Sequence, residues 1–358
     1  MKHPENMTQN SKTHLRYQPE LDGIRGIMTF GVLLAHINYA WLPGSIVYMN
    51  VFFMLSSYLI TSVLIRDIEV HGKIRYKIFY LRRFFRLLPA YYFMICIFLL
   101  AVFIFLPEPK KYLWDVLYSA CYVANWARAF GTTNPDWLGH TWSLSIEEQF
   151  YLIWPIVFAP LVCFWGFSRK LLVCLSSVAL LASIWRIVLV YNGASIARLY
   201  NGTDTRVDVI LIGAIIAIIL HCNAVKFHKV ILFCKRIFLM SAFIVFIGFG
   251  WSIHWQDHSY YTLFSIFSNF ALSIFFIGLV TLNNSAIHRL LRLKLLVFLG
   301  KISYPTYLWH FPIFCFAKFY SLTSSEILFF CVPATYLVAI FSYKFVETPC
   351  NQIKARYY

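Results

Sequence analysis

The 358-residue chain is 60% hydrophobic and only 13% charged, which excludes an ordinary soluble domain. Its 31 Lys/Arg against 15 Asp/Glu give a formal charge of +16, but the basic residues gather between alternate hydrophobic stretches, which argues against a nucleic-acid partner. Nine cysteines form no Cys-x-x-Cys pair and no His/Cys cluster with zinc spacing, so no metal is expected.

The first 20 residues are polar and contain no apolar core, so no cleavable signal peptide is expected. Hydrophobic stretches at 24–42, 46–65, 87–106, 142–165, 171–190, 207–222, 236–253, 262–282, 296–316 and 326–346 read as about ten transmembrane helices, an all-α polytopic fold. With the N-terminus inside, 24 Lys/Arg fall on the cytoplasmic side and 6 outside, counting span-edge residues to the nearer side. Arg186 alone falls within a span. Both termini are then cytoplasmic. Residues 1–20 form a polar segment, 21–349 one membrane domain and 350–358 a tail. No internal repeat or appended soluble domain is expected.

The first stretch, LDGIRGIMTFGVLLAHINYAW, sets Arg25 and His36 eleven residues apart. On a helix that spacing turns about 1100°, leaving the two only about 20° apart, and climbs about 16.5 Å. The arginine is expected at the membrane edge and the histidine near the middle. Ionisable groups at such positions are costly, and they suit a long ligand that is anionic at one end and reactive at the other. The loop from Arg66 to Pro89 holds seven basic residues and ends in RRFFRLLP, with Arg82, Arg83 and Arg86. It reads both as a topology anchor and as a phosphate-binding surface, because arginine forks match phosphate oxygens. The outer region from Pro107 to Thr141 includes YLWDVLYSACYVANWARAF, which is apolar but interrupted by Asp115, Asn125 and Arg128, as in an interfacial or re-entrant helix.

HTWSLSIEEQFYLIWP places Glu147 and Glu148 about one and a half turns into the fourth span. They read either as a pair favoured by the helix dipole or as carboxylates that orient or charge a catalytic group. DTRVDVILIG carries Asp204, Arg206 and Asp208, either a structural ion pair or a lining for an acceptor's way in. LGKISYPTYLWHFPI puts His310 among Tyr304, Tyr307 and Trp309, with Pro305 and Pro312 loosening the helix. A histidine there reads as a satisfied packing group or as a catalyst.

Taken in order with NVFFMLSSYLIT, these segments resemble the membrane acyltransferase-3 family, over about Leu21 to Pro349. The resemblance implies a roughly ten-helix domain that takes acyl groups from cytoplasmic acyl-CoA and modifies a glycan at or beyond the outer face of the bacterial cytoplasmic (inner) membrane. Arg25 and His36 match the family's arginine–histidine motif, and Glu147 and Glu148 its Trp-Ser-Leu…Glu segment. One departure is Ser56-Ser57, where the family commonly has Ser-Gly, so packing near Ser56 is in question. Some members carry a further soluble hydrolase-like domain; without one, the chain is expected to act alone or with a separate partner.

On this reading acetyl-CoA is the donor, its phosphates held by Arg25, Arg82, Arg83 and Arg86. The thioester is presented near His36, which either takes the acceptor's proton or carries the acyl group itself. Glu147 or Glu148 orients the imidazole. Trp142, Ser143, Asp204, Arg206, Asp208, Tyr304, Tyr307 and His310 are expected to bind substrate. The acceptor is expected to be a hydroxyl on lipopolysaccharide O-antigen, another exported polysaccharide or a lipid-linked saccharide. A multi-pass glycolipid or polysaccharide transporter is the alternative, although no paired half-repeats are visible. A glycan-binding sensor without turnover is a second alternative.

Overall fold

The computed structural model describes residues 17–133, 135–222 and 227–355. The polar N-terminal segment lies outside them up to residue 16, and so do residues 356–358 of the tail. The described residues are all-helical, without a strand. In chain order the helices are α1 (Pro19–Ile37), α2 (Ile46–His71), α3 (Tyr76–Phe105), α4 (Leu113–Ala120), α5 (Ala124–Ala129), α6 (Thr141–Trp165), α7 (Arg169–Tyr191), α8 (Ile196–Asn201) and α9 (Val207–His221). There follow α10 (His228–Arg236), α11 (Phe238–Phe249), α12 (Leu263–Thr281), α13 (Ala286–Leu291), α14 (Lys294–Lys301), α15 (Ser303–Phe319) and α16 (Ser324–Ile353).

Six of these, α2, α3, α6, α7, α12 and α16, are long and apolar enough to cross a membrane. The pair α10–α11 passes the same test but is bent by 62°. Of the other expected spans, α9 has 15 residues, α15 has 17 with Pro312 inside, and α1 carries Glu20, Asp22 and Arg25 in its first two turns. The ten stretches fall on helices in order, but length and composition support six or seven crossings. The outer region forms two short helices, α4 and α5, separated by Tyr122 at φ 53°. At 8 and 6 residues, neither reaches across a bilayer.

The outward faces of α3, α6 and α7 expose Leu100, Phe103, Leu152, Ile156, Leu180 and Leu181. That is a surface for lipid rather than water. The inward faces meet closely at glycines. A Cβ at Gly213 of α9 would lie 2.0 Å from Ser57 Oγ and 2.2 Å from Met54 O of α2. Ser57 therefore keeps its place: its hydroxyl donates to Met54 O at 3.1 Å, and Gly213 on the partner helix supplies the missing space. A Cβ at Gly300 of α14 would lie 1.8 Å from Asp22 O, which is how α14 seats against α1.

The register of α1 differs from the expected 24–42. Pro19 at the first helical position, followed by Glu20 and Asp22 in the first turn, starts the helix earlier. Asn38, extended at φ −147°, ends it. Arg25 is therefore nearly two turns inside the helix, and His36 lies in its last turn, not near the middle.

Candidate active site

A cavity of about 320 Å³ opens between α1, α2, α3, α6, α15 and the end of α16. Arg25, Arg83, Arg86 and Lys301 line it, opposed by Asp22, Glu147 and Glu347. Its far end is formed by Ser143 and Tyr307, whose hydroxyls are 2.7 Å apart. A second hollow of about 360 Å³ lies between α2 and α3, lined by Arg66, Arg75, Arg82, Arg83 and Arg86. Arg83 and Arg86 line both hollows. Arg75 is held by Asp67 at 2.8 Å. Neither Arg83 nor Arg86 makes a hydrogen bond to a described residue, and Arg83 is placed by its guanidinium lying 5.3 Å from the Tyr151 ring centre. Two unpaired guanidinium forks between two hollows suit an oligophosphate with a long arm.

Ser143, Glu147 and Tyr151 recur every four residues and present one face of α6 to the cavity. Glu147 accepts from Ser56 Oγ at 2.8 Å and from Tyr151 at 3.3 Å. Glu148 is turned about 100° away and does not line the cavity. Neither carboxylate bonds His36. Arg25 Nη1 lies 3.4 Å from Asp22 Oδ1, a loose contact that leaves the guanidinium turned to the cavity. Tyr304 lines the same cavity and donates to Leu87 O at 2.9 Å.

Beyond Tyr307 three histidines converge, His36 from α1, His310 from α15 and His140 from the residue that precedes α6. His36 Nδ1 lies 2.8 Å from His310 Nε2, with the rings stacked 5.0 Å apart. His310 Nδ1 lies 2.6 Å from Tyr307 O. His140 Nε2 lies 3.1 Å from Leu308 O, and its Nδ1 is buried without a partner. Pro312 explains the last contact: it has no N–H to donate to the carbonyl four residues back, so Leu308 O is left free for His140. His36 does not line the cavity; it is joined to the cavity wall by side-chain contacts, Tyr307 to His310 and His310 to His36. Lys318 donates to His36 O at 2.7 Å and closes the end of α1. His140 escaped the sequence reading because only the fold brings α6 to the Pro312 break.

Asp204, Arg206 and Asp208 do not pair with one another. Asp204 takes Arg198, at 2.8 and 2.5 Å, and the Trp185 indole N–H at 2.8 Å. Burial alone would push its carboxyl up, yet these bonds hold it below the ordinary carboxylate range. Asp208 takes Arg186, the in-span arginine, at 2.7 Å, inside a buried network with Ser183, Ser265 and Asn269. Arg206 lies over the rings of Tyr200 and Trp142, at 5.0 and 5.8 Å, with its Nη2 buried and unpartnered. These residues do not line the cavity. Among the described residues no group of His, Cys, Asp or Glu is arranged to hold a metal.

A family described as "Acyltransferase domain" matches residues 18–344, and the chain belongs to that family. It is 34% identical over 354 residues to the O-acetyltransferase OatA of Staphylococcus aureus, covering 94% of this chain and 58% of that protein. It is 32% identical over 363 residues to the peptidoglycan O-acetyltransferase OatA of Listeria monocytogenes, covering 97% of this chain and 58% of that one. The chain thus spans somewhat more than half the length of these relatives. No solved structure matches it.

Proposed function

We propose that this protein moves an acetyl group from cytoplasmic acetyl-CoA to a hydroxyl of an exported polysaccharide. The observation that carries this is the pair of hollows joined at Arg83 and Arg86, one basic and one leading to Ser143 and Tyr307. The nucleotide phosphates of the donor lie against Arg66, Arg82, Arg83 and Arg86, with Arg25 further in. The pantetheine arm enters the cavity and brings the thioester towards Tyr307. His36 stands beyond and meets the acceptor from the outer side. In direct transfer the acceptor oxygen attacks the thioester carbon, the C–S bond breaks, His36 takes the hydroxyl proton and the thiolate leaves. In relayed transfer His36 attacks the thioester carbon, the C–S bond breaks and the thiolate leaves; the acceptor oxygen then attacks the acetyl carbon, the N–C bond breaks, and the imidazole nitrogen takes the hydroxyl proton. Arg206, Trp142, Asp204 and Asp208 belong to the acceptor side.

The membrane arrangement belongs to the same proposal: ten crossings in the bacterial cytoplasmic membrane with both termini inside, which puts 24 Lys/Arg on the donor side. The relatives' names favour peptidoglycan as the acceptor over lipopolysaccharide O-antigen, since one of them is named for peptidoglycan. The test is purified protein in liposomes supplied with acetyl-CoA and peptidoglycan fragments. Acetylated fragments support the proposal; movement of glycan across the bilayer without acetyl transfer favours a transporter.

A further inference from the structure

We infer that His310 is a positioning residue that fixes the tautomer of His36 and leaves the lone pair on His36 Nε2. This rests on the reading of His36 as the centre of transfer. Tyr307 O only accepts, so His310 Nδ1, 2.6 Å away, carries a hydrogen. A neutral imidazole has one N–H, so His310 Nε2 is an acceptor. Facing it at 2.8 Å is His36 Nδ1, which must then donate. His36 Nε2 is left unprotonated, and no described residue bonds it. That lone pair is what either role of His36 requires, whether base or acyl carrier.

The reverse assignment needs His310 to hold both protons. His310 is 0% exposed and ringed by Phe311, Phe314, Tyr307 and His140, with no carboxylate bonded to it. The charged groups near His36 are Arg128 and Lys318, both cations. An imidazolium there would be a buried charge without a counter-ion, which is strongly disfavoured. In this order of bonds a histidine stands where a triad places its carboxylate: it accepts from Nδ1–H and so sets the tautomer and the ring angle.

The experiment compares wild type with His310→Leu, His310→Gln and His36→Ala in nanodiscs, reading acetyl transfer and the ¹⁵N spectrum of histidine-labelled protein. A glutamine keeps an acceptor oxygen for His36 Nδ1–H, and a leucine does not. The expected result is an unprotonated Nε2 signal for His36 in wild type. His310→Leu should lower kcat by about 10²–10⁴-fold with KM for acetyl-CoA within about twofold, and His310→Gln should restore much of the loss. A protonated Nε2 at His36 in wild type would overturn the inference. So would wild-type kcat in His310→Leu when His36→Ala is inactive, or equal losses in kcat for the leucine and glutamine variants. If His36→Ala itself keeps full transfer, the placement of the reaction at His36 fails, and the nitrogen spectrum still decides the tautomer.

Discussion

Single side chains divide between those the fold needs and those it leaves free. Arg186 is bonded at all three guanidinium nitrogens in a buried network, so Asp208→Ala should strip a buried cation of its partner and cost about 3–5 kcal/mol. Thermal unfolding in detergent is expected to drop accordingly, while any protein that does fold keeps its KM for acetyl-CoA. Arg25 is the opposite case, with one loose contact and an open cavity before it. Arg25→Glu should weaken acetyl-CoA binding by more than about tenfold, measured by titration calorimetry, with little loss of stability. Unchanged affinity would remove Arg25 from the donor site. The Arg25–His36 spacing was legible because helix geometry is local. The His36 partner was not: His310 is 274 residues away, and its bond to His36 exists only once α1 and α15 are packed.

At the scale of helices, the sequence carried element identity better than element ends. Pro19 and Asn38 were visible terminators of α1, but the apolar run past residue 38 outweighed them in a reading by hydropathy. The Ser57 departure illustrates the limit from the other side. Its compensation is Gly213 on α9, and no local pattern joins those two positions. Gly213→Val should force α2 and α9 apart and cost several kcal/mol, read as loss of folded protein after detergent extraction. The outer helices hold a titrating group of their own. Burial pushes the Asp115 carboxyl up to about 6, against which its bond from the Trp137 N–H works only in part. A carboxyl raised by folding stabilises when protonated, so stability should fall as pH rises from about 4 to 6 and then level off. Asp115→Asn should flatten that slope in a pH series of melting curves; an unchanged slope would assign it elsewhere.

For the whole molecule, the two basic hollows share Arg83 and Arg86, and the histidine cluster lies beyond Tyr307, outside both hollows. Composition made the first half of that arrangement readable, since charge between spans marks a side of the membrane. The three-histidine cluster needed the Pro312 break and the packing of α1, α15 and the start of α6. On the function proposed above, the donor enters through the arginine hollows and the acetyl group leaves through His36. CoA release and acetyl transfer by purified wild-type and His36→Ala protein in liposomes, with acetyl-CoA on one side and glycan on the other, test this. Wild type should acetylate only when acetyl-CoA is on the face bearing Arg83 and Arg86, and His36→Ala should fall by about 10²-fold or more while still binding acetyl-CoA. Undiminished transfer by His36→Ala, or transfer with the donor supplied only on the opposite face, would contradict the account.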